Sequence, residues 1–96
     1  MRLTSNTIRK TRPAIVVSND VANRLLNRVQ VVPLTSKVER LYPAEAYVRV
    51  GGARGKAMAD QLATASKQRL RSRVGRLEPK DMAGVERATR IQLGLS

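Results

Sequence analysis

The sequence predicts a small, mainly β domain: a curled antiparallel sheet of about five strands, partly closed like a barrel, with one C-terminal helix. Three observations carry this reading. Short Val/Ile-rich runs bounded by polar clusters recur along the first half of the chain. A Gly51-Gly52 pair falls where a tight reversal belongs, and from Pro79 onward the apolar spacing becomes helical. With 96 residues, 42% of them apolar, the chain can fill one modest core, so residues 1–96 are read as a single domain.

Residues 14–18 (AIVVS) and 29–34 (VQVVPL) read as two buried strands joined by a polar loop over 19–28. Pro33 cannot donate to a ladder, which places its strand at an edge or a bulge. Residues 45–50 (EAYVRV) alternate and end at the glycine pair, so a further strand is expected from Lys56 to Leu62. Residues 64–70 (TASKQRL) favour a helical turn, and 72–77 (SRVGRL) alternate as the last strand. The terminal helix opens with Pro79 in its first turn and Asp81 against the positive end of the dipole. Met82, Val85, Ala88 and Ile91 recur every third residue, Leu77 and Met82 suit a hydrophobic staple, and Gly94 suits the C-cap.

The composition excludes several chemistries. Without cysteine there is neither a disulfide framework nor a Cys-ligated zinc site. Without histidine there is no Ser-His-Asp or Cys-His mechanism and no His-metal site. The seven carboxylates form no DxD or ExxE pair, so no protein-bound metal is expected. GxxxxGK[ST] and GxGxxG are both lacking, so no cofactor is expected either. The longest apolar run, Ala14 to Val17, is far too short for a membrane span and places the chain in the cytoplasm.

The charge is more informative. Nineteen Lys and Arg oppose seven Asp and Glu, and the net +12 divides as +5 over residues 1–30, +2 over 31–60 and +5 over 61–96. No single tail accounts for it. Charge of this density suits a polyanionic partner, RNA first, because neutralised phosphates release counterions; a merely solvated surface is the plain alternative. Only Tyr42 and Tyr47 are aromatic, so phosphate and polar base contacts must outweigh stacking. Arg, Lys, Ser, Thr and Asn can hold a phosphodiester and stabilise charge on its oxygens, and RNA brings its own nucleophile, the 2′-OH.

Four segments, TRPAIVVSND (11–20), VVPLTSK (31–37), ADQLATASKQRL (59–70) and RVGRLEPKDMAGVERATRIQLGL (73–95), resemble in their order the MazF/PemK toxins. The resemblance implies an SH3-like barrel that forms a homodimer and acts as a metal-independent, sequence-specific endoribonuclease on single-stranded RNA. It further implies the toxin role in a type II toxin–antitoxin system, with an acidic cognate antitoxin as partner. The family's catalytic pair, the Arg of the RP motif and the Thr that ends the P-x-T strand, corresponds to Arg12 and Thr35. Ser18, Asn19, Ser36, Lys37 and Gln61, at strand ends and in adjoining loops, are expected to bind substrate, with turn capping and solvent exposure as the alternative. Tyr42 is the better placed of the two aromatics to stack a base, and packing on the sheet is its alternative.

The chain departs from the family at its start, where only MRLTSNTIRK precedes the TRP motif; Leu3 to Ile8 are read as a shortened first strand within residues 1–10. Two other readings stand beside the nuclease. One is a non-catalytic, basic RNA-binding SH3-like module, favoured by charge alone. The other, a gyrase-poisoning relative, calls for a C-terminal aromatic tip, and this chain ends IQLGLS.

Overall fold

The computed structural model describes residues 6–9, 13–70 and 72–95, with the backbone alone considered at 6–9 and 72–74. The strands are β1 (Asn6–Arg9), β2 (Pro13–Val16), β3 (Arg28–Thr35), β4 (Glu45–Val50), β5 (Ala53–Met58), β6 (Ala63–Ser66) and β7 (Ser72–Arg76). Helix α1 (Asp20–Leu25) links β2 to β3, α2 (Pro79–Leu93) follows β7, and 3-10 turns occupy Ala59–Gln61 and Lys67–Arg69. Every pairing is antiparallel, in the order β4-β5-β3-β2-β1-β7, with β6 also on β3. The mainly β class with a terminal helix is therefore as the sequence indicates.

Strand β3 organises the molecule. One side of it pairs with β2 throughout Val31–Pro33, while the other pairs first with β6 (Arg28–Val31) and then with β5 (Leu34–Thr35). The sheet curls at this change of partner. Pro33 lies beside the change, so its missing N–H falls where that ladder is interrupted. The strand is thus central rather than at an edge, and the interruption is what admits the proline.

Burial on both faces explains the unbroken apolar runs of β2 and β3. Ile15, Val17, Val32 and Leu34 face the main core, where Ala46, Val48, Ala57, Leu77, Met82, Val85 and Ala88 join them. Ala14, Val16, Val29 and Val31 face the other way and meet Ala65 and Leu70 in a second cluster. Ile15, Val32, Val48 and Val85 are the largest fully buried side chains, so α2 is pinned at its middle turn. Gly94, at φ 70°, ends α2. Ile91 departs from the expected apolar stripe: it is exposed, as are Leu93 and Leu95. Among the described residues, no helix is long and apolar enough to cross a membrane.

Three local expectations are revised. The polar loop after β2 contains α1, because the Asn19 side chain accepts the Ala22 N–H at 2.9 Å and starts a helix there. The strand expected over 56–62 is displaced towards the glycine pair: β5 begins at Ala53 and gives way to a 3-10 turn at Ala59. The helical turn expected over 64–70 is half strand, since Ala63–Ser66 pair with β3 before the turn at Lys67. The shortened first strand is present as β1; residues 3–5 of that expectation lie outside the described residues.

Candidate functional site

The glycine pair fixes one wall of the site. Gly51 and Gly52 have φ of 59° and 81°, the two positive values of a type I′ turn, and Val50 pairs with Ala53 across them. That register sets Tyr47 opposite Lys56 and Arg49 opposite Arg54. Val48 and Ala57 then face the core, while Glu45, Tyr47, Arg49, Arg54, Lys56 and Met58 share the other face of the hairpin.

A groove of about 800 Å³ runs between this hairpin and the end of β3. Pro13, Leu34, Thr35, Ser36, Lys37 and Gln61 line it from one side, and Val50, Gly51, Ala53, Arg54, Gly55 and Met58 from the other. Four of the sequence-derived site residues, Thr35, Ser36, Lys37 and Gln61, thus meet in one depression. Arg12 lies outside the described residues; the next residue, Pro13, lines the groove.

Thr35 is half-buried at the last position of β3, and its Oγ1 accepts the Lys37 N–H at 3.2 Å. The bond fixes the rotamer and occupies one lone pair, leaving the hydroxyl proton available to a ligand in the groove. Gly55 makes the close approach on the other side: a Cβ there would lie 3.2 Å from the Thr35 carbonyl oxygen. Any side chain there would crowd that oxygen by a few tenths of an ångström, so glycine lets β5 lie close to the strand end that presents the hydroxyl.

Ser18 and Asn19 stand elsewhere. Asn19 caps α1, while the Ser18 hydroxyl donates to Asn23 Oδ1 and accepts the Gln30 N–H at 3.1 Å. Lys67 Nζ donates to the Asn23 carbonyl and its N–H to Asn27 O, so this polar cluster ties α1 to β3 and to the turn after β6. Tyr42 is exposed, lies outside the groove lining, and donates its backbone N–H to Glu45 Oε1 at 2.9 Å.

Sequence reasoning passed over two cations of the hairpin. Lys56 is buried and bonded to Glu45 at 3.0 Å and to the Arg40 carbonyl at 2.8 Å, which clamps the 36–44 loop onto the sheet. Arg54 places its guanidinium carbon 4.0 Å from the centre of the Tyr47 ring, a contact worth about 0.5–1 kcal/mol at an exposed site. The Tyr47 hydroxyl in turn donates to the Val38 carbonyl at 2.9 Å. The two-residue turn held the signal for both: counting outward from Gly51-Gly52 makes Glu45 and Lys56, and likewise Tyr47 and Arg54, diagonal neighbours.

The curled sheet, the central partner-changing strand and a groove at its end that Lys37 and Arg54 help to line define a small basic β domain. A family described as PemK-like, MazF-like toxin of type II toxin-antitoxin system matches residues 2–93. Endoribonuclease MazF9 of Mycobacterium tuberculosis is 32% identical over 93 residues, covering 88% of this chain and 79% of its own. A solved endoribonuclease from a mycobacterial species superposes with a TM-score of 0.87 at 28% identity, covering 97% of this chain and 91% of that one. A second, an endoribonuclease in complex with its cognate antitoxin from a mycobacterial species, gives 0.83 at 26% identity, covering 100% and 96%. The chain belongs to the PemK-like, MazF-like toxin family.

Proposed function

We propose that this chain is the toxin of a type II toxin–antitoxin pair, a metal-independent endoribonuclease that cuts single-stranded RNA at a short sequence and works in the cytoplasm as a homodimer. The observation that carries the reading is the convergence of Thr35, Ser36, Lys37 and Gln61 on one groove, beside the residue that follows Arg12. Membership of the toxin family and the endoribonuclease names of the relatives support it.

In this mechanism the RNA 2′-hydroxyl gives up its proton to solvent as its oxygen attacks the adjacent phosphorus, and the bond from phosphorus to the 5′-oxygen breaks as that oxygen takes a proton from solvent, leaving a 2′,3′-cyclic phosphate and a 5′-hydroxyl. Arg12 grips the non-bridging oxygens and stabilises the charge of the pentavalent state; a guanidinium keeps its proton far above neutral pH and so serves by its field rather than as a base. The Thr35 hydroxyl donates to a phosphate oxygen, its own acceptor side being held by the Lys37 N–H. Ser36, Lys37 and Gln61 hold the flanking nucleotides. The inhibitor that fits a +12 surface is an acidic antitoxin segment, disordered when free, that folds along the same groove.

Purified, antitoxin-free protein is expected to cut a long single-stranded RNA in EDTA. Thr35→Ala and Arg12→Ala should each lower the rate about 10²-fold or more, and a 2′-deoxy nucleotide 5′ to the scissile phosphate should block cleavage there. Intact RNA with the native protein, or scission that persists at the deoxy position, overturns the proposal.

A further inference from the structure

The hairpin face that borders the groove carries two arginines directly opposite each other, Arg49 and Arg54. Like charges in that position repel, and the one ion pair among the described residues, Lys56 with Glu45, does not reach them. The two side chains part: Arg49 turns back to the Gly52 carbonyl at 3.4 Å, while Arg54 goes onto the Tyr47 ring and into the groove wall. The ring is itself held by the Tyr47 hydroxyl on Val38 O, so Arg54 rests on a fixed platform. Contact with a ring face uses no N–H donor. The fork of the guanidinium is therefore biased toward the ring and, among the described residues, paired with no carboxylate, one residue from the glycine that abuts Thr35.

We propose that Arg54, based on the Tyr47 ring, is a substrate-binding residue that grips a backbone phosphate of single-stranded RNA next to the scissile one. The proposal rests on the nuclease reading of the groove and adds to it a contact on the opposite wall from Ser36 and Lys37. A planar, bidentate donor already oriented by its ring loses less side-chain freedom on binding than a free lysine would. Charge alone makes the contact indifferent to base identity, so Arg54 should raise affinity along the strand without selecting the cut sequence.

The test uses the full-length protein and a labelled, mixed-sequence RNA oligonucleotide with every 2′-hydroxyl methylated, which can be bound but not cut. Arg54→Ala should weaken binding about tenfold and reduce the slope of log K against log salt by about 0.7, one single-strand phosphate. Arg54→Lys should keep the slope and recover part of the affinity, and Tyr47→Leu should keep the slope while weakening binding. In cleavage of unmodified RNA, Arg54→Ala should raise KM and leave kcat near native. Arg87→Ala, which removes the same charge from the exposed face of α2 outside the groove lining, should change neither slope nor KM.

An Arg54→Ala protein with the native slope and KM overturns the proposal. So does one that keeps its RNA binding but loses affinity for a Glu-rich peptide, which would assign Arg54 to a protein partner instead. If the native protein binds the methylated RNA but cuts no RNA at all, the nuclease reading fails while the slope still decides the role of Arg54. If it does not bind, both fall.

Discussion

At Thr35 the protein turns a common hydroxyl into a directed donor with two small devices. The Lys37 N–H claims the acceptor side of Oγ1, and Gly55 lets β5 lie against the Thr35 carbonyl. A methyl group at residue 55 would meet that carbonyl at 3.2 Å and push the strand end by a few tenths of an ångström. Gly55→Ala should therefore lower the single-turnover cleavage rate about tenfold, since misplacement of order 1 Å can cost about 10²-fold, with a much smaller effect on the melting temperature. A rate equal to native would show that the close approach does not set the geometry of Thr35. Lys56 behaves in the opposite way, as a group for the fold. Its side chain and that of Glu45 are each only 9% exposed, so Lys56→Met strands a buried carboxylate and should cost about 3 kcal/mol in urea unfolding. Replacing both partners, Glu45→Gln with Lys56→Met, should return part of that loss.

Among the elements, the ones legible in the sequence are those whose local and tertiary signals agree. The AIVV and VVPL runs gave two strands because both faces of β2 and β3 are buried, so no polar alternation interrupts them. Helix α2 was legible from Pro79, the three-residue apolar spacing and Gly94, except at Ile91, where the spacing continues beyond the part of the sheet that α2 covers. The short elements were not legible. Helix α1 buries no residue, and its one apolar pair at helical spacing, Val21 and Leu25, is exposed, so what defines it is its cap and the polar contacts of Ser18, Asn23 and Lys67. That predicts a cap-dependent element: Asn19→Ala should cost about 1 kcal/mol, and hydrogen exchange should show the loss at Ala22 and Asn23 rather than across the sheet. Uniform deprotection would mean that α1 unfolds only with the whole domain. The candidate site followed the same division. Thr35, Ser36, Lys37 and Gln61 converge because the end of β3 and the turn after β5 close on each other, whereas the sequence pattern does not mark Arg54, because the strand it predicts begins at Lys56, three residues after β5 does.

For the whole molecule the dominant quantity is charge. A net +12 on a body 35 × 30 × 21 Å across holds like charges within a few Debye lengths of one another at any ordinary salt concentration. The Lys56–Glu45 pair is shielded from solvent ions and cannot relieve this, and most basic side chains, such as Arg24, Arg28, Arg69, Arg87 and Arg90, are exposed. Repulsion between them opposes the compact state, and an RNA strand or an acidic antitoxin removes it on binding. The melting temperature should therefore climb as ionic strength rises from about 0.01 to 0.15 M, where the screening length contracts from about 30 to 8 Å. Over the same range RNA affinity must fall, because each phosphate contact then releases counterions into a more concentrated solution. Calorimetric melts and binding isotherms across one salt series test both trends, which must run in opposite directions. Stability that drops with salt would mean that favourable surface ion pairs outweigh repulsion, and the basic surface would then be balanced within the fold instead of waiting for a polyanion.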